Sequence, residues 1–374
     1  MNYCKKCLTT NLRPGGEFIN GYCIPCFYIN NEKNASEKTK LNLLIDLYKE
    51  NRKGQKNKGS YDCIVGVSGG KDSTRQAHWV KERLGLRPLL VCIAYPPKQM
   101  TEVGAKNISN LIDLGFDLIT VTPSPKTSAK LSLESFRNFG NVSKSSEKAL
   151  YSSVPRIAID LGIKNIFWGE NNATQVGEKS VLGKNEFDAN NLRKMNTLSA
   201  GGNQWVFDVA GENKGLHYIY PEEIEFKKKK INIYFLGPAW DDWSVTNNST
   251  YAALHGLTLR PFDERITGDV SNASMLDEEF TNINMMIKYY KFGFGRATDY
   301  VNDEIRLGLI TREEGIKIVE EYDGICHDSI INNYCKYVNI DINEFWKIVY
   351  SFTNKSLFDI KEGFVRPIRK FKIG

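Results

Sequence analysis

The feature that most constrains the fold is the passage "YDCIVGVSGGKDSTRQAHWVKERLG", residues 61–85. An apolar run (Cys63, Ile64, Val65, Val67) stops at Ser68-Gly69-Gly70, and a segment with helical character follows. A strand that ends in a glycine turn and feeds a helix aims several backbone N–H groups in one direction. The positive end of the helix dipole adds to them, so such a corner binds phosphate. The nucleotide-kinase loop G-x4-G-K-[ST] is missing. In its place stands Ser68, Gly69, Gly70, Lys71, Asp72, Ser73. The glycines clear room for pyrophosphate, the serines are expected to donate hydrogen bonds, and Lys71 neutralises charge. Asp72 makes sense beside phosphates where it helps hold Mg²⁺.

Strands and helices alternate onward from this corner. "RPLLVCIAY" reads as a second strand, "FDLITVTP" as a third, "KNIFWGEN" as a fourth and "KINIYFLGPAW" as a further one. Helices are expected over 72–85, 101–115, roughly 128–138 and 145–162, the first, second and last closed by Gly85, Gly115 and Gly162. The strands lack in/out alternation, as expected when helices cover both faces of a parallel sheet. The pattern predicts an α/β doubly wound parallel sheet. Residues 36–50 read as a helix and 51–60 as a polar linker. The Gly- and Asn-rich segment 178–216 reads as a long irregular insertion, of the kind that forms lids or disorder. It and the charged group Arg260, Asp263, Glu264, Arg265 are each read as able to close over a substrate, a surface loop being the default for the latter. From about 277 onward the pattern is helical, with a helix start at Thr311. The expected units are a Cys4 module at 1–35, helix and linker at 36–60, the α/β domain at 61–260 and a mainly helical region at 261–374.

Four of the eight cysteines lie in the first 26 residues. Cys4-x-x-Cys7 and Cys23-x-x-Cys26, 15 residues apart, make two knuckles that together form a tetrahedral thiolate cage suited to Zn²⁺. A cage of four cysteines leaves no open coordination position, so its role is structural; a knuckle gripping RNA or a partner is the alternative. Cys63 and Cys92 fall inside strands and read as buried structural residues. The 374 residues are 41% hydrophobic and 25% charged, with a formal charge of +6. That suits an anionic ligand such as ATP and is weak for a nucleic-acid binder. No apolar run approaches the roughly 20 residues of a membrane helix, and the N-terminus lacks the apolar core of a signal peptide. A cytoplasmic protein without membrane or nucleic-acid partners is expected.

The hexapeptide resembles the SGGxDS loop of the ATP pyrophosphatases, the N-type family that cuts ATP between its α and β phosphates. The resemblance implies cofactor-binding roles for Ser68, Gly69, Gly70, Lys71, Asp72 and Ser73, with Lys71, Asp72 and Ser73 catalytic, and ATP with Mg²⁺ in the site. It further implies adenine contacts at Cys92, Ile93 and Ala94, and a crevice lined by Gly169, Glu170 and Asn171. Over residues 1 to about 350 the chain resembles the N-acetyl sugar amidotransferases of surface-glycan pathways, including pseudaminic and legionaminic acid synthesis. The stretches that carry this are "YCKKCLTTNLRPGGEF…GYCIPC", "FWGEN", "IYFLGPAWDDW" and "YYKFGFGRATDYVNDEIRLGLITREEGIKIVEEYDG". These enzymes turn an acetamido group into an acetamidino group through an adenylated intermediate. The implied substrate is an acetamido sugar, CMP- or UDP-linked or free. No glutaminase site is visible, so the implied partners are a separate glutaminase and a cyclase-like barrel protein that pass ammonia. Thiolation of tRNA, and a non-catalytic zinc- and ATP-binding adaptor, are the alternative readings.

Gly293 and Gly295 predict a turn between helices, with Arg296 and Asp299 three apart on one face of the next. Both are candidate substrate residues, Arg296 for a phosphate or carboxylate; the plainer reading is an ion pair that ties helices together. His327 reads as a packed or surface residue, and Lys227 to Lys230 as a solvated face.

Overall fold

The computed structural model describes residues 1–31, 37–52, 60–169, 177–181, 183–240, 242–261 and 270–374. A short hairpin opens the chain, β1 (Phe18–Ile19) against β2 (Tyr22–Cys23), followed by α1 (Ile24–Asn31) and α2 (Glu37–Arg52). The α/β unit then runs β3 (Cys63–Val67), α3 (Lys71–Glu82), β4 (Pro88–Ile93), α4 (Glu102–Asp113), β5 (Asp117–Val121), α5 (Pro125–Phe139), α6 (Lys144–Leu161), β6 (Asn165–Trp168) and β7 (Asn232–Phe235). The five strands β3–β7 are parallel in the order β5-β4-β3-β6-β7. The doubly wound α/β fold expected from the sequence is the fold observed.

Strands β3, β4, β6 and β7 are buried on both faces, which explains their near-continuous apolar character, while the edge strand β5 exposes Asp117 and Thr120. On one face Cys63, Val65, Val67, Leu90 and Cys92 pack against Ala77 and Val80 of α3, Leu111 of α4 and Leu44 of α2. On the other, Ile64, Val91, Ile166 and Ile233 pack against Val154 and Ala158 of α6.

One expectation is corrected here, and two helices were not singled out in the sequence. The 178–216 segment is not an open lid. Its short helical turns bury Leu192, Met195 and Leu198 against the sheet, and Trp205 and Val206 beside α5 and α6. The buried Lys148 amine of α6 donates to Leu198 O and Asn203 Oδ1, both at 2.8 Å, so irregular backbone is satisfied in the interior. A helix over Val245–Leu254, unannounced in the sequence, packs on α3. A helix over Asp328–Val338 lies in the region expected to be helical but was not singled out; exposed His327 caps it, its Nδ1 accepting from Ser329 N at 3.2 Å.

The C-terminal region holds helices Thr281–Phe292, Arg296–Leu307, Arg312–Tyr322, Asp328–Val338 and Ile342–Phe352, then the hairpin β8 (Phe358–Asp359) with β9 (Ile368–Arg369). Thr311 starts its helix as expected, its hydroxyl accepting from Glu314 N and the Glu314 carboxylate accepting from Thr311 N. Gly293 closes one helix in the left-handed region and Gly295 precedes the next. Phe136 of α5 joins Tyr334, Phe345 and Phe280 in the core that fixes this region to the α/β unit. Lys227, Lys228, Lys229 and Lys230 are exposed, as expected. Among the described residues no helix is long and apolar enough to cross a membrane.

Gly324 has φ +84, and a Cβ there would fall 2.2 Å from Tyr289 Cδ1. Gly308 has φ +74 with open space around it. Gly308→Ala is therefore expected to cost about 1–2 kcal/mol from backbone alone. Gly324→Ala adds overpacking of about 1–3 kcal/mol. Thermal melts of the two variants check this, and equal losses would contradict it.

Candidate functional site

The corner between β3 and α3 is built as its residues require. Gly69 has φ +82, and a Cβ on it would come within 3.1 Å of the backbone nitrogen of Ile108 in α4. Only glycine lets the turn pass beneath α4. Gly70 precedes α3 in an extended conformation, and Lys71 is the first helical residue. The serines brace the corner itself: Ser73 Oγ donates to Gly70 O at 3.0 Å, and Gly70 N donates to Ser68 Oγ at 3.4 Å.

Lys71 Nζ donates to Asp72 Oδ2 at 2.7 Å, and the lysine is buried. Burial disfavours its charge, but Asp72 and then Tyr300 outweigh that and hold the amine above its ordinary range, so it is an ammonium. Asp72 Oδ1 accepts from Asn248 Nδ2 at 2.6 Å, Asn248 Oδ1 accepts from Arg75 at 2.6 Å, and Arg75 forks onto Asp242 at 2.8 and 2.9 Å. This chain fixes the Asp72 carboxylate at the head of α3.

A cavity of about 220 Å³ opens above the corner. It lies at the carboxyl ends of β3, β4 and β6, where the strand order reverses, the place at which open α/β sheets take ligands. One wall is apolar, with Val91, Ile93, Val154 and Trp168. Charged groups also line the cavity: Lys71, Asp72, Arg296 and Asp277. Burial raises the pKa of Asp277, against the lowering pull of Arg260, Lys71 and Arg296. Such a lining offers apolar surface to a flat aromatic group and positive charge from Lys71 and Arg296 to a polyanion.

Of the sequence candidates, Ser68, Gly70, Lys71, Asp72, Ser73, Ile93, Gly169 and Arg296 line this cavity. Gly69 lies behind it as the turn. Cys92 is a correction: neighbours along a strand point to opposite faces, so its side chain packs with Cys63 and Val67 on the far side of the sheet. Burial pushes its thiol up to about 12, that of an inert core residue. Cys63 is equally buried. Ala94 lines a separate small cavity with Tyr95 and Tyr218. Glu170, Asn171, Asp263, Glu264 and Arg265 lie outside the described residues. Sequence reading missed Asn248, Gln76 and Asp277. Gln76, one turn after Asp72, donates to Phe167 O at 3.0 Å and packs under Gly169; that helical spacing was its only signal. Asn248 and Asp277 stand in no motif.

Cys4, Cys7, Cys23 and Cys26 are buried, with all four sulfurs within 4.8 Å of one another. Four ligands at a zinc–sulfur distance of about 2.3 Å stand about 3.8 Å apart, so the donor set fits a tetrahedral metal. Hydrogen bonds within the cluster, first from Cys23, hold the Cys7 thiol down to about 6, and the Arg306 charge adds to the effect. Arg306 reaches Cys7 Sγ and Cys23 Sγ at 3.8 Å.

Arg306 belongs to the helix Arg296–Leu307, which joins the two centres. Its first residue lines the loop cavity, where Arg296 donates to Ser274 Oγ at 2.6 Å and to Tyr300 OH at 3.0 Å. Asn302 Oδ1 accepts from Leu8 N at 2.7 Å, and Val301 and Ile305 pack with the four cysteines and Leu8. Asp299 carries two ion pairs, with Arg13 of the Cys module and with Lys288 at 2.6 Å. Burial opposes its charge, but Lys288, Arg13 and Arg296 together hold its pKa well below the usual range. The plainer reading of Asp299 therefore fits its contacts, though its partners are Arg13 and Lys288.

Residues 269–372 match the family model described as "LPS biosynthesis protein WbpG-like, C-terminal domain". The matched segment contains the stretch 289–324 and the helix that joins the two centres. No curated protein matches the chain. Among solved structures, NMN synthetase from Francisella tularensis is similar, at 15% identity over 62% of this chain and 100% of that one, with a TM-score of 0.28. That likeness is too loose to transfer residue roles.

The Cys4 cage predicts one bound zinc per chain. Cys26→Ser is expected to lose the metal, lower the melting temperature and speed hydrogen exchange in the WbpG-like segment at 296–307. Elemental analysis and exchange mass spectrometry check this. A metal-free wild-type protein with protected 296–307 amides would contradict it.

Proposed function

We propose that the chain is an ATP-dependent amidotransferase of surface-glycan synthesis that converts an acetamido group on a sugar to an acetamidino group, releasing AMP and pyrophosphate. The observation that carries the reading is the Lys71–Asp72 pair at the head of α3, in one cavity with Arg296 from the segment that matches the lipopolysaccharide-biosynthesis model. The apolar wall of Val91, Ile93 and Trp168 suits adenine, which leaves the triphosphate to the corner of Gly70 and Lys71.

The chemistry runs in two displacements. The acetamide carbonyl oxygen attacks the α-phosphorus, the bond to the β-phosphate oxygen breaks, and pyrophosphate leaves. Lys71 and the N–H groups at the start of α3 stabilise the charge that develops on pyrophosphate. Ammonia then adds to the activated carbon, AMP leaves with the former acetamide oxygen, and loss of a proton gives the amidine. Adenylation is needed because an amide oxygen is a very poor leaving group. Asp72 is placed to hold a Mg²⁺ that would travel with the phosphates and offset their charge. Zn²⁺ in the Cys4 cage holds the module in place. A partner glutaminase with a cyclase-like barrel protein supplies ammonia, and the setting is cytoplasmic.

Lys71→Ala is expected to lower kcat by about 10²–10³-fold, the scale of losing one preorganised charge stabiliser, with the melting temperature nearly unchanged. In the wild type, acceptor-dependent turnover yields AMP and pyrophosphate; ADP and phosphate would sink the reading.

A further inference from the structure

A second cavity, of about 120 Å³, adjoins the first and shares Lys71, Asp72 and Arg296 with it. Its wall carries Arg13, which the Cys module delivers from between its two cysteine pairs, Cys4–Cys7 and Cys23–Cys26. Arg13 is held firmly: it is only 14% exposed, pairs with Asp299, and lies 4.4 Å over the Phe294 ring. Trp243, also in the wall, stacks on Trp240 at 4.6 Å and is equally fixed.

The charges are unequal. Arg13, Lys71, Arg296 and Arg306 line the cavity against Asp72, Asp299 and Asp303. Lys71 is matched by Asp72 and Arg306 by Asp303 at 2.7 Å. Asp299 faces Arg13, Arg296 and the nearby Lys288, while Arg13 also faces Asp303 and Arg296 also faces Asp277. Four cations against three carboxylates leave the lining of this cavity with one positive charge in surplus. A guanidinium has five N–H donors in a planar fork, so the pairing with one carboxylate leaves donors for a second anion.

We propose that this second cavity is the acceptor subsite, and that Arg13 of the Cys module holds the anionic group of an acetamido sugar there. The inference rests on the amidotransferase reading and names where its second substrate sits. The anion is a sugar carboxylate or a linked diphosphate. The rigid indole of Trp243 offers a flat face to the pyranose C–H groups. Asp303, half-exposed, accepts from hydroxyls. The acetamide then points to the junction at Lys71, Asp72 and Arg296, where the α-phosphorus must lie if pyrophosphate rests on the corner. The Cys4 module thereby becomes part of the substrate site, and its metal positions Arg13.

The test is calorimetric titration of full-length, zinc-loaded protein with α,β-methylene-ATP present. The probes are N-acetylneuraminic acid (carboxylate), UDP-N-acetylglucosamine (diphosphate) and neutral N-acetylglucosamine. The expected result is that Arg13→Ala weakens whichever anionic probe the wild type prefers by about tenfold or more, one charge-assisted hydrogen bond's worth. Arg13→Lys recovers part of the loss. Affinity for the ATP analogue and for N-acetylglucosamine, and the zinc content, stay within twofold. Unchanged anion affinity in Arg13→Ala overturns the proposal, as does a wild type that binds neither anionic probe more tightly than the neutral sugar. Loss of zinc or of ATP-analogue binding in Arg13→Ala assigns Arg13 to the fold and also overturns it. Cleavage of ATP at another bond would defeat the amidotransferase reading and leave these binding results standing.

Discussion

A parallel sheet whose first strand lies in the middle must send its connections to opposite faces. Here β4 and β6 flank β3, so the chain leaves β3 toward α3 on one side, while α6 covers the other. A crevice opens where the two directions part. The rest of the site depends on that topological gap. It lets the first turn of α3 face a cavity rather than a neighbouring loop, and the left-handed Gly69 lets the corner tuck under α4 without a clash. Lys71 and Asp72 then meet the cavity because they are the first residues of the helix.

The helix Arg296–Leu307 adds a second level. Along its length it contacts the loop cavity, the Arg13 ion pair and the sulfur cluster in turn. Four clustered, buried cysteines stand at the centre of this short module, and Val301 and Ile305 complete its packing. The module, expected as a separate unit over 1–35, is thus docked against the C-terminal helices. Its stability and the placement of Arg13 follow from the same contacts.

Much of this was legible in the residues. The five strands were visible as apolar runs, and the corner was visible because two glycines, a lysine and an aspartate have few reasons to sit together on a strand end. The facing of strand residues was not. In a strand covered on both sides the period of two disappears from the sequence, so Cys92 and Ile93 look alike until the sheet shows which cavity each meets. The 178–216 segment misled for another reason: its polar Asn and Gly residues suggested a lid, while the Lys148 amine that satisfies its carbonyls comes from α6, some fifty residues earlier in the chain. Asn248 and Asp277 reach the site only through long-range packing. The helix Asp328–Val338 had its periodicity in Ile330, Ile331, Tyr334 and Val338, masked by an unusual histidine cap.

The central claim is that the corner at Gly70 and Lys71 cradles a departing pyrophosphate while AMP is carried by the oxygen of an acetamide. Turnover of an acetamido sugar labelled with ¹⁸O in its acetyl carbonyl, with ammonium as nitrogen donor, tests it most directly. The account predicts that one ¹⁸O atom appears in the phosphate of AMP and none in pyrophosphate. Label retained in the sugar, or unlabelled AMP formed alongside amidine, would contradict it.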